Sequence, residues 1–351
     1  MTLEIMNEVI IVNRNQIERM DYIDVAKGIG IVGVLVGHHL QQADLLIKWI
    51  YSFHMPLFFF LTGFLYEKRN VDAADNRALF LKQAKRLLYP YVTFSVLMLA
   101  WKYFFHIICG VPYTTGEKEF KYMVLDALTT NGIHALWFLP AMFWASTVYL
   151  ILRKQKLPGW VLPVFGVATA VLLSQMKQTK MIQESELHLF VNYVARSVLG
   201  FSFIVLGALY ARIERSGLYV MITSLLVSLI FGLWNGNVGL VASYIGNPLL
   251  GYIGAVGGCV FILSISKRIG GTARWLRFLG RNSLVVMATE LSFPDEIAWM
   301  ILGVTKVTRI LPPLMASAVM VLLQMVLVSL LILVIQRYAK WMLKLPKADI
   351  R

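Results

Sequence analysis

Ten apolar stretches, each long enough or nearly long enough to cross a lipid bilayer, run through this 351-residue chain. A helix that spans the hydrocarbon core needs about 20 apolar residues, and fewer where neighbouring helices shield it. The stretches cover residues 23–40, 46–66, 87–109, 134–152, 157–175, 191–211, 218–234, 245–266, 280–293 and 311–336. They predict an all-α fold, a polytopic integral membrane bundle of about ten transmembrane helices.

The ninth stretch departs from this pattern, because Pro294, Asp295 and Glu296 interrupt it. A proline followed by two carboxylates does not continue a membrane-spanning helix easily. We therefore expect residues 296–309 to form a second short helix that lies at the membrane interface.

The composition excludes a water-soluble enzyme and a disordered chain. Hydrophobic residues make up 58% of the sequence and charged residues only 15%, against about 25% charged in soluble domains. No soluble domain fits between the apolar stretches, so residues 1–351 are predicted to form a single transmembrane domain. Residues 1–20 are expected to be a cytosolic or interfacial lead-in without a cleaved signal peptide, and residues 338–351 a cytosolic tail.

The formal charge of +14 has a membrane explanation that needs no nucleic-acid partner. Basic residues accumulate in cytoplasmic loops, and here 23 of the 33 Lys and Arg residues fall on one side of the predicted bundle and 7 on the other. This asymmetry places both termini in the cytoplasm. Two cysteines, Cys109 and Cys259, are far apart and predict neither a disulfide framework nor a metal site.

Ionisable residues inside the apolar stretches are the candidates for chemistry. A charge near the bilayer centre costs about 2.5 to 17 kcal/mol, so each one needs a protein-lined or wet environment. The ionisable residues expected within the membrane are Asp24, Lys27, His38, His39, His54, Lys102, His106, Arg196 and Glu290.

The first stretch carries a polar face. Lys27 and His38 are eleven residues apart, which on a helix is about 1100°, so they share a face about 16 Å apart along the axis. Asp24 lies one turn before Lys27 and is placed to neutralise it. His39 points about 100° away and is interpreted as structural.

Four glycines of the same stretch, Gly28, Gly30, Gly33 and Gly37, interleave this polar face. Small residues allow another helix or an extended ligand to approach closely. Helix packing and ligand approach are equally good interpretations of the four glycines.

Two further features admit both a structural and a functional interpretation. His54, in the second stretch, is expected at a depth similar to that of His38 and faces the same cavity or holds a helix end by a hydrogen bond. Lys82, Lys85 and Arg86 precede the third stretch at helical spacing. They form either a phosphate-binding cluster or an interfacial anchor.

Several motifs resemble those of the membrane acyltransferase-3 family, and the nearest branch looks like fucose 4-O-acetylase and related sugar acetyltransferases. The first two motifs are specific in combination, and the others support them. The matching stretches are 21–31 (DYIDVAKGIGI) with Gly37 and His38, 53–65 (FHMPLFFFLTGFL), 136–140 (LWFLP), 196–207 and 280–284 (GRNSL).

The resemblance implies a ten-helix enzyme that moves an acyl group, usually acetyl from acetyl-CoA, onto a hydroxyl of a carbohydrate or other acceptor. The family has a basic residue that is followed, after ten other residues, by a histidine. Lys27 and His38 occupy these two positions here, although the family usually has Arg at the first. Many relatives have a histidine where this chain has Glu290, a carboxylate that can orient a histidine.

The implied roles divide the candidate residues into two groups. The catalytic group has His38 as the general base, which takes the hydroxyl proton, with Lys27, His54 and Glu290. The substrate-binding and acyl-CoA-binding group comprises Lys82, Lys85, Arg86, Asp24, Trp137, Arg196 and Asn282. Acyl-CoA, most simply acetyl-CoA, is the expected co-substrate, and no metal is expected. Direct transfer and a transient acyl-histidine both fit.

The remaining expectations concern location and rival functions. The resemblance implies a multi-pass protein of the bacterial cytoplasmic membrane, in contact with lipid and with a carbohydrate or glycan acceptor; the oligomeric state is not predicted. The donor is acetyl-CoA or succinyl-CoA. A proton-coupled secondary transporter or a lipid-linked glycan flippase is the alternative, because ten spans with buried Lys, His and Glu also describe transport.

The predicted orientation is tested by cysteine labelling, in a chain whose Cys109 and Cys259 are replaced by Ser. Residues 111–133 are predicted to be external, so a membrane-impermeant maleimide added to whole cells should modify Thr115→Cys and spare Asp75→Cys. Labelling of Asp75→Cys alone would show that the orientation is the reverse of the predicted one.

Overall fold

The structure is a computed structural model that describes residues 20–40, 43–70, 75–109, 120–155, 157–177, 179, 188–236, 238–306 and 310–343. Among these residues helices predominate and no β-strand occurs; a single antiparallel bridge joins Gly239 and Tyr244. The predicted all-α polytopic fold is confirmed.

Fourteen α-helices are numbered here in chain order within the described part of the chain. They are α1 (Asp21–His39), α2 (Asp44–Lys68), α3 (Asn76–Gln83), α4 (Tyr89–Cys109), α5 (Phe120–Leu128), α6 (Phe138–Arg153), α7 (Val161–Lys177), α8 (His188–Ile213), α9 (Leu218–Trp234), α10 (Pro248–Ile269), α11 (Arg274–Arg281), α12 (Ser283–Thr289), α13 (Phe293–Thr305) and α14 (Pro313–Tyr338). A π-helical segment, Ala84–Leu88, joins α3 to α4, and a 3-10 turn, His134–Trp137, leads into α6.

Five helical segments of the described chain are long and apolar enough to cross a membrane by themselves, and two shorter apolar helices, α7 and α9, accompany them. The five are Asp44–Lys68, His134–Arg153, His188–Ile213, Pro248–Thr272 and Pro313–Tyr338. Each of the ten predicted stretches coincides with at least one helix. The number of spans and their orientation stay predictions.

The ninth stretch is broken as expected, although the second helix begins earlier. The short helix α12 ends at Thr289, and α13 begins at Phe293 with Pro294 in its first turn, where a missing backbone N–H costs nothing. The helix expected over residues 296–309 is α13, Phe293–Thr305; residues 307–309 lie outside the described part of the chain.

The glycines of α1 pack against other helices and do not line an open groove. A Cβ atom at Gly30, Gly33 or Gly37 would lie 3.0 to 3.3 Å from a side chain of α2, which is Tyr51 in the case of Gly37. A Cβ at Gly28 would overlap the backbone carbonyl of Leu276 in α11. The structure thus favours helix packing over ligand approach for all four residues.

Two further close helix contacts hold the bundle. A Cβ at Gly63 of α2 would overlap the carbonyl oxygen of Ile204 in α8, and a Cβ at Gly207 of α8 would overlap that of Phe60. Between α11 and α1, a Cβ at Gly280 would overlap the carbonyl oxygen of Asp24. These backbone-to-backbone contacts are possible only because glycine lacks a side chain.

The outer surface of α14 is apolar. Leu322, Val326, Leu330 and Leu333 recur at helical spacing and are each more than half exposed. A stripe of this kind is unfavourable in water but matches the hydrocarbon core of a bilayer.

Replacement of Gly63 by Ala tests the α2–α8 contact. The added methyl group must displace backbone, so we expect Gly63→Ala to lower stability by about 1 to 3 kcal/mol, seen as a lower melting temperature in detergent. Gly303→Ala is the matched control, because no atom outside its own helix lies within 4 Å of its Cβ position. Equal melting temperatures for both variants would contradict the contact.

Candidate active site

The helix α1 joins two polar regions at opposite ends of the bundle. Its first part carries Lys27, which lines a cavity. The end of the bundle where Arg69, Lys82 and Arg86 surround the mouth of that cavity is called the basic end. The last turn of α1 carries His38 and His39, and the surrounding region is called the histidine end.

The cavity at the basic end has a volume of about 820 Å³, which is within the usual range for a small-molecule site. Its rim is exposed and basic: Arg69, Lys82 and Arg86. Its deeper wall is apolar and includes Phe58 and Leu139.

The predicted basic cluster is partly brought to the cavity. Lys82, in the last turn of α3, and Arg86, in the π-helical segment, line it, whereas Lys85 is exposed and is not among its lining residues. A π-helical segment changes the direction of successive side chains, and such segments are frequent at functional sites. Here Arg86 Nη2 donates a hydrogen bond to the Tyr66 hydroxyl at 3.3 Å.

One carboxylate stands on the rim beside these basic groups. Asp75 caps the N-terminus of α3, where its side chain accepts a hydrogen bond of 3.0 Å from the Ala78 backbone N–H. Backbone hydrogen bonds, first that from Ala78, hold the pKa of Asp75 below its usual range, so the carboxylate is charged at neutral pH.

Four residues of the cavity, Tyr66, Arg69, Gln83 and Arg281, were not predicted from the sequence. Arg69 and Arg281 counted as basic loop residues that obey the positive-inside rule, and Arg281 also fell in the 280–284 motif, but neither was assigned a role in the site. The positions of Tyr66 and Gln83, 17 residues apart, gave no sequence signal, because their hydrogen bond depends on how α2 packs against α3.

Asp24 and Asn282 lie near the basic end. Asp24 is buried, and its carboxylate accepts a 3.0 Å hydrogen bond from Arg281 Nε. Asn282 is not among the cavity residues; its side chain donates to the Phe278 carbonyl and accepts a 2.7 Å hydrogen bond from Gln336. These contacts anchor α11 to α1 and α14.

At the histidine end the structure brings His38 and Glu290 together. His38 Nδ1 lies 3.2 Å from Oε1 of Glu290, at ion-pair distance, although the two groups are not aligned as a good hydrogen bond. Glu290 is 1% exposed and sits in the break between α12 and α13. Gln324 of α14 donates a 2.6 Å hydrogen bond to its backbone carbonyl and fixes the break.

Two more carboxylates of the same segment bind neighbouring residues. Asp295 Oδ1 lies 3.6 Å from His39 Nε2. Glu296 forms an ion pair with the buried Lys102 and accepts a 2.5 Å hydrogen bond from the Trp101 indole. The interpretation of His39 as a structural residue agrees with this contact to the first turn of α13.

His54 lies deeper than expected. It packs beside Gly33, five residues from His38 along α1, which corresponds to about 7.5 Å. Tyr51, whose hydroxyl donates a 2.9 Å hydrogen bond to the Gly37 carbonyl, occupies a level nearer to His38. His54 Nδ1 makes a 3.0 Å hydrogen bond with the Ile50 carbonyl of its own helix.

Trp137 and Arg196 belong to a different network and are not brought into the cavity. The Arg196 guanidinium lies 5.3 Å from the Trp137 ring centre, and it donates to the Val241 carbonyl and to Asn131. A buried guanidinium satisfied in this way ties the segment before α10 to α8. Its predicted contact with substrate stays a prediction.

A model of the acyltransferase domain that defines the acyltransferase-3 family matches residues 20–335. The chain belongs to the acyltransferase-3 family. No curated protein and no solved structure matches it. The resemblance read from the first two motifs is therefore confirmed at the level of the family, and the protein is a membrane acyltransferase; the sugar-acetylase branch stays a prediction.

Within this acyltransferase-3 protein the two ends offer different chemistry. The basic end presents a cavity with a cationic rim, which suits a polyanionic ligand. The histidine end presents an imidazole at ion-pair distance from a buried carboxylate, an arrangement that suits proton abstraction. No group of three or more His, Cys, Asp or Glu residues in the described chain is placed to hold a metal ion.

Proposed function

We propose that this protein is an O-acyltransferase of the bacterial cytoplasmic membrane. It takes an acyl group, most simply acetyl, from cytoplasmic acyl-CoA bound at the basic end and transfers it to a hydroxyl of a carbohydrate or cell-surface glycan at the histidine end.

The observation that carries the proposal is the placement of both groups on one helix. Lys27 lines the basic-rimmed cavity, and His38, eleven residues further along α1, is paired with Glu290. The two side chains share a face and are about 16 Å apart along the axis. An acyl group carried on an extended arm is suited to bridge that span.

The proposed reaction follows from the contacts of His38. Glu290 at Nδ1 favours the tautomer with a proton on that nitrogen, which leaves Nε2 as a proton acceptor. Nε2 takes the proton of the acceptor hydroxyl while the oxygen of that hydroxyl attacks the thioester carbonyl. Collapse of the tetrahedral intermediate breaks the carbon–sulfur bond, and the thiolate of CoA receives the proton.

Lys27 is proposed to stabilise negative charge on the donor side. An ammonium group is a point charge, so it serves an oxyanion or a phosphate without the two-pronged geometry of Arg. His54 is proposed to hold α2, because its Nδ1 is bonded to the Ile50 carbonyl within the same helix.

The His38–Glu290 pair is tested by comparing the turnover of variants at Glu290 and at the nearby Glu296. Loss of the base or of its orienting charge should lower kcat for acyl-CoA consumption, by about 10² to 10⁴-fold in His38→Ala and in Glu290→Gln. Thiol release from acetyl-CoA by purified protein, with a glycan acceptor, measures it.

Glu296→Gln is the matched control, because that carboxylate binds Lys102 and Trp101 and not His38. We expect Glu296→Gln to lower the stability of the protein while it changes turnover per folded molecule much less. We expect the same of His39→Ala. Near-normal turnover in His38→Ala would reject the mechanism, and absence of any acyl-CoA turnover in the unmodified protein would favour the transport alternative.

Donor binding is tested on the rim of the cavity. Each charge-assisted hydrogen bond contributes about 1.5 to 3 kcal/mol, so Lys82→Ala combined with Arg86→Ala should raise the Kd for acetyl-CoA by about tenfold or more. The loss should shrink as salt rises, because exposed charges are screened over about 8 Å at physiological ionic strength.

Lys85→Ala removes a neighbouring charge that does not line the cavity and should change the Kd less than twofold. If Lys85→Ala and the Lys82→Ala/Arg86→Ala double variant lose affinity for acetyl-CoA equally, the rim acts only through its general positive field or as a membrane anchor.

A further inference from the structure

The cavity changes character with depth along one face of α2. Arg69, Tyr66, Thr62 and Phe58 all line it and follow each other at intervals of three or four residues. Successive residues at this spacing are about 4.5 to 6 Å apart along the helix. Passing inward from the exposed Arg69, the wall is first charged, then polar and uncharged, and finally apolar.

The middle level contains two buried polar side chains that are hydrogen-bonded to each other. Tyr66 is 6% exposed and Gln83 is 4% exposed, and their side chains are 2.9 Å apart at Tyr66 Oη and Gln83 Nε2. The Tyr66 ring stacks on Tyr149, with an angle of 7° between the planes. Both side chains are therefore held in place before a ligand arrives.

These two side chains have hydrogen-bonding capacity that the protein leaves unused. The Tyr66 oxygen receives hydrogen bonds from Gln83 and Arg86. Among the described residues its own proton has no acceptor, and Gln83 Oε1 is buried without a partner. Turning the Gln83 amide around would leave its N–H groups unpaired instead. A buried polar group without a partner is costly, so a ligand is expected to complete the arrangement.

One free O–H donor beside one free C=O acceptor is complementary to a secondary amide. An acyl-CoA has a matching order of groups: a nucleotide with phosphates, an uncharged pantetheine arm with two amides, and a thioester. We propose that Tyr66 and Gln83 form a subsite that binds an amide of the pantetheine arm, between the phosphates at the rim and the thioester at the apolar level. This inference rests on the proposed function.

The subsite is tested with two ligands that differ in the arm. Coenzyme A and adenosine 3′,5′-bisphosphate, which lacks the arm, are titrated by calorimetry against unmodified protein and Gln83→Met. We expect Gln83→Met to weaken CoA by about five- to tenfold and the bisphosphate by less than twofold. Since the lost hydrogen bond is uncharged, the fold-change for CoA should be the same at low and high salt.

Tyr66→Phe, which keeps the stacked ring, should likewise weaken CoA more than the bisphosphate. Gln336→Met is the matched control, since Gln336 lies outside the cavity and binds Asn282; both affinities should be unchanged. Equal weakening of the two ligands by Gln83→Met, or no weakening, would overturn the subsite while leaving acyl-CoA binding intact. Failure of unmodified protein to bind CoA would instead reject the proposed function.

Discussion

Ion pairs between carboxylates and basic residues tie together the helices at the basic end of the bundle. Each of three carboxylates there joins two cations. Glu67 binds Arg153 and Arg212, Glu214 binds Lys68 and Lys267, and Asp21 binds Arg277 and Arg281. Arg69, Lys82 and Arg86 make no ion pair with any other described residue, so the rim of the cavity keeps their positive charge.

Carboxylates at the histidine end are also paired with basic residues. The broken ninth stretch supplies Glu290, Asp295 and Glu296, and each meets a different basic residue, namely His38, His39 and Lys102. A continuous helix would turn successive carboxylates away from one another by about 100° per residue. The break lets residues from two short helices converge on the end of α1, which is a common way to build polar sites within membrane proteins.

Much of this arrangement was predictable from local sequence. Apolar length located the helices, Pro294 located the break, and helical spacing put Lys27 and His38 on one face. The pairing of His38 with Glu290 was only suggested, by a carboxylate where relatives have a histidine. The contacts of Tyr66, Gln83 and Arg281 were not predictable, because they depend on helix packing between segments 17 to 257 residues apart. For the same reason the α1 glycines, which looked equally suited to a ligand, proved to contact α2 and α11.

The packing of these glycines has a consequence for the proposed reaction. Because α1 packs against side chains of α2 and against the backbone of α11, the separation of Lys27 from His38 is set by helix geometry at about 16 Å. In the proposed reaction the donor then extends from the cavity toward His38, which is not among the residues that line the cavity. Apolar side chains such as Phe58 and Leu139 line the deeper wall of the cavity, where they would disfavour water near a bound thioester. In the proposed reaction an apolar wall of this kind favours transfer to an acceptor hydroxyl over hydrolysis, since only a group bound at the histidine end meets both the carbonyl and the base.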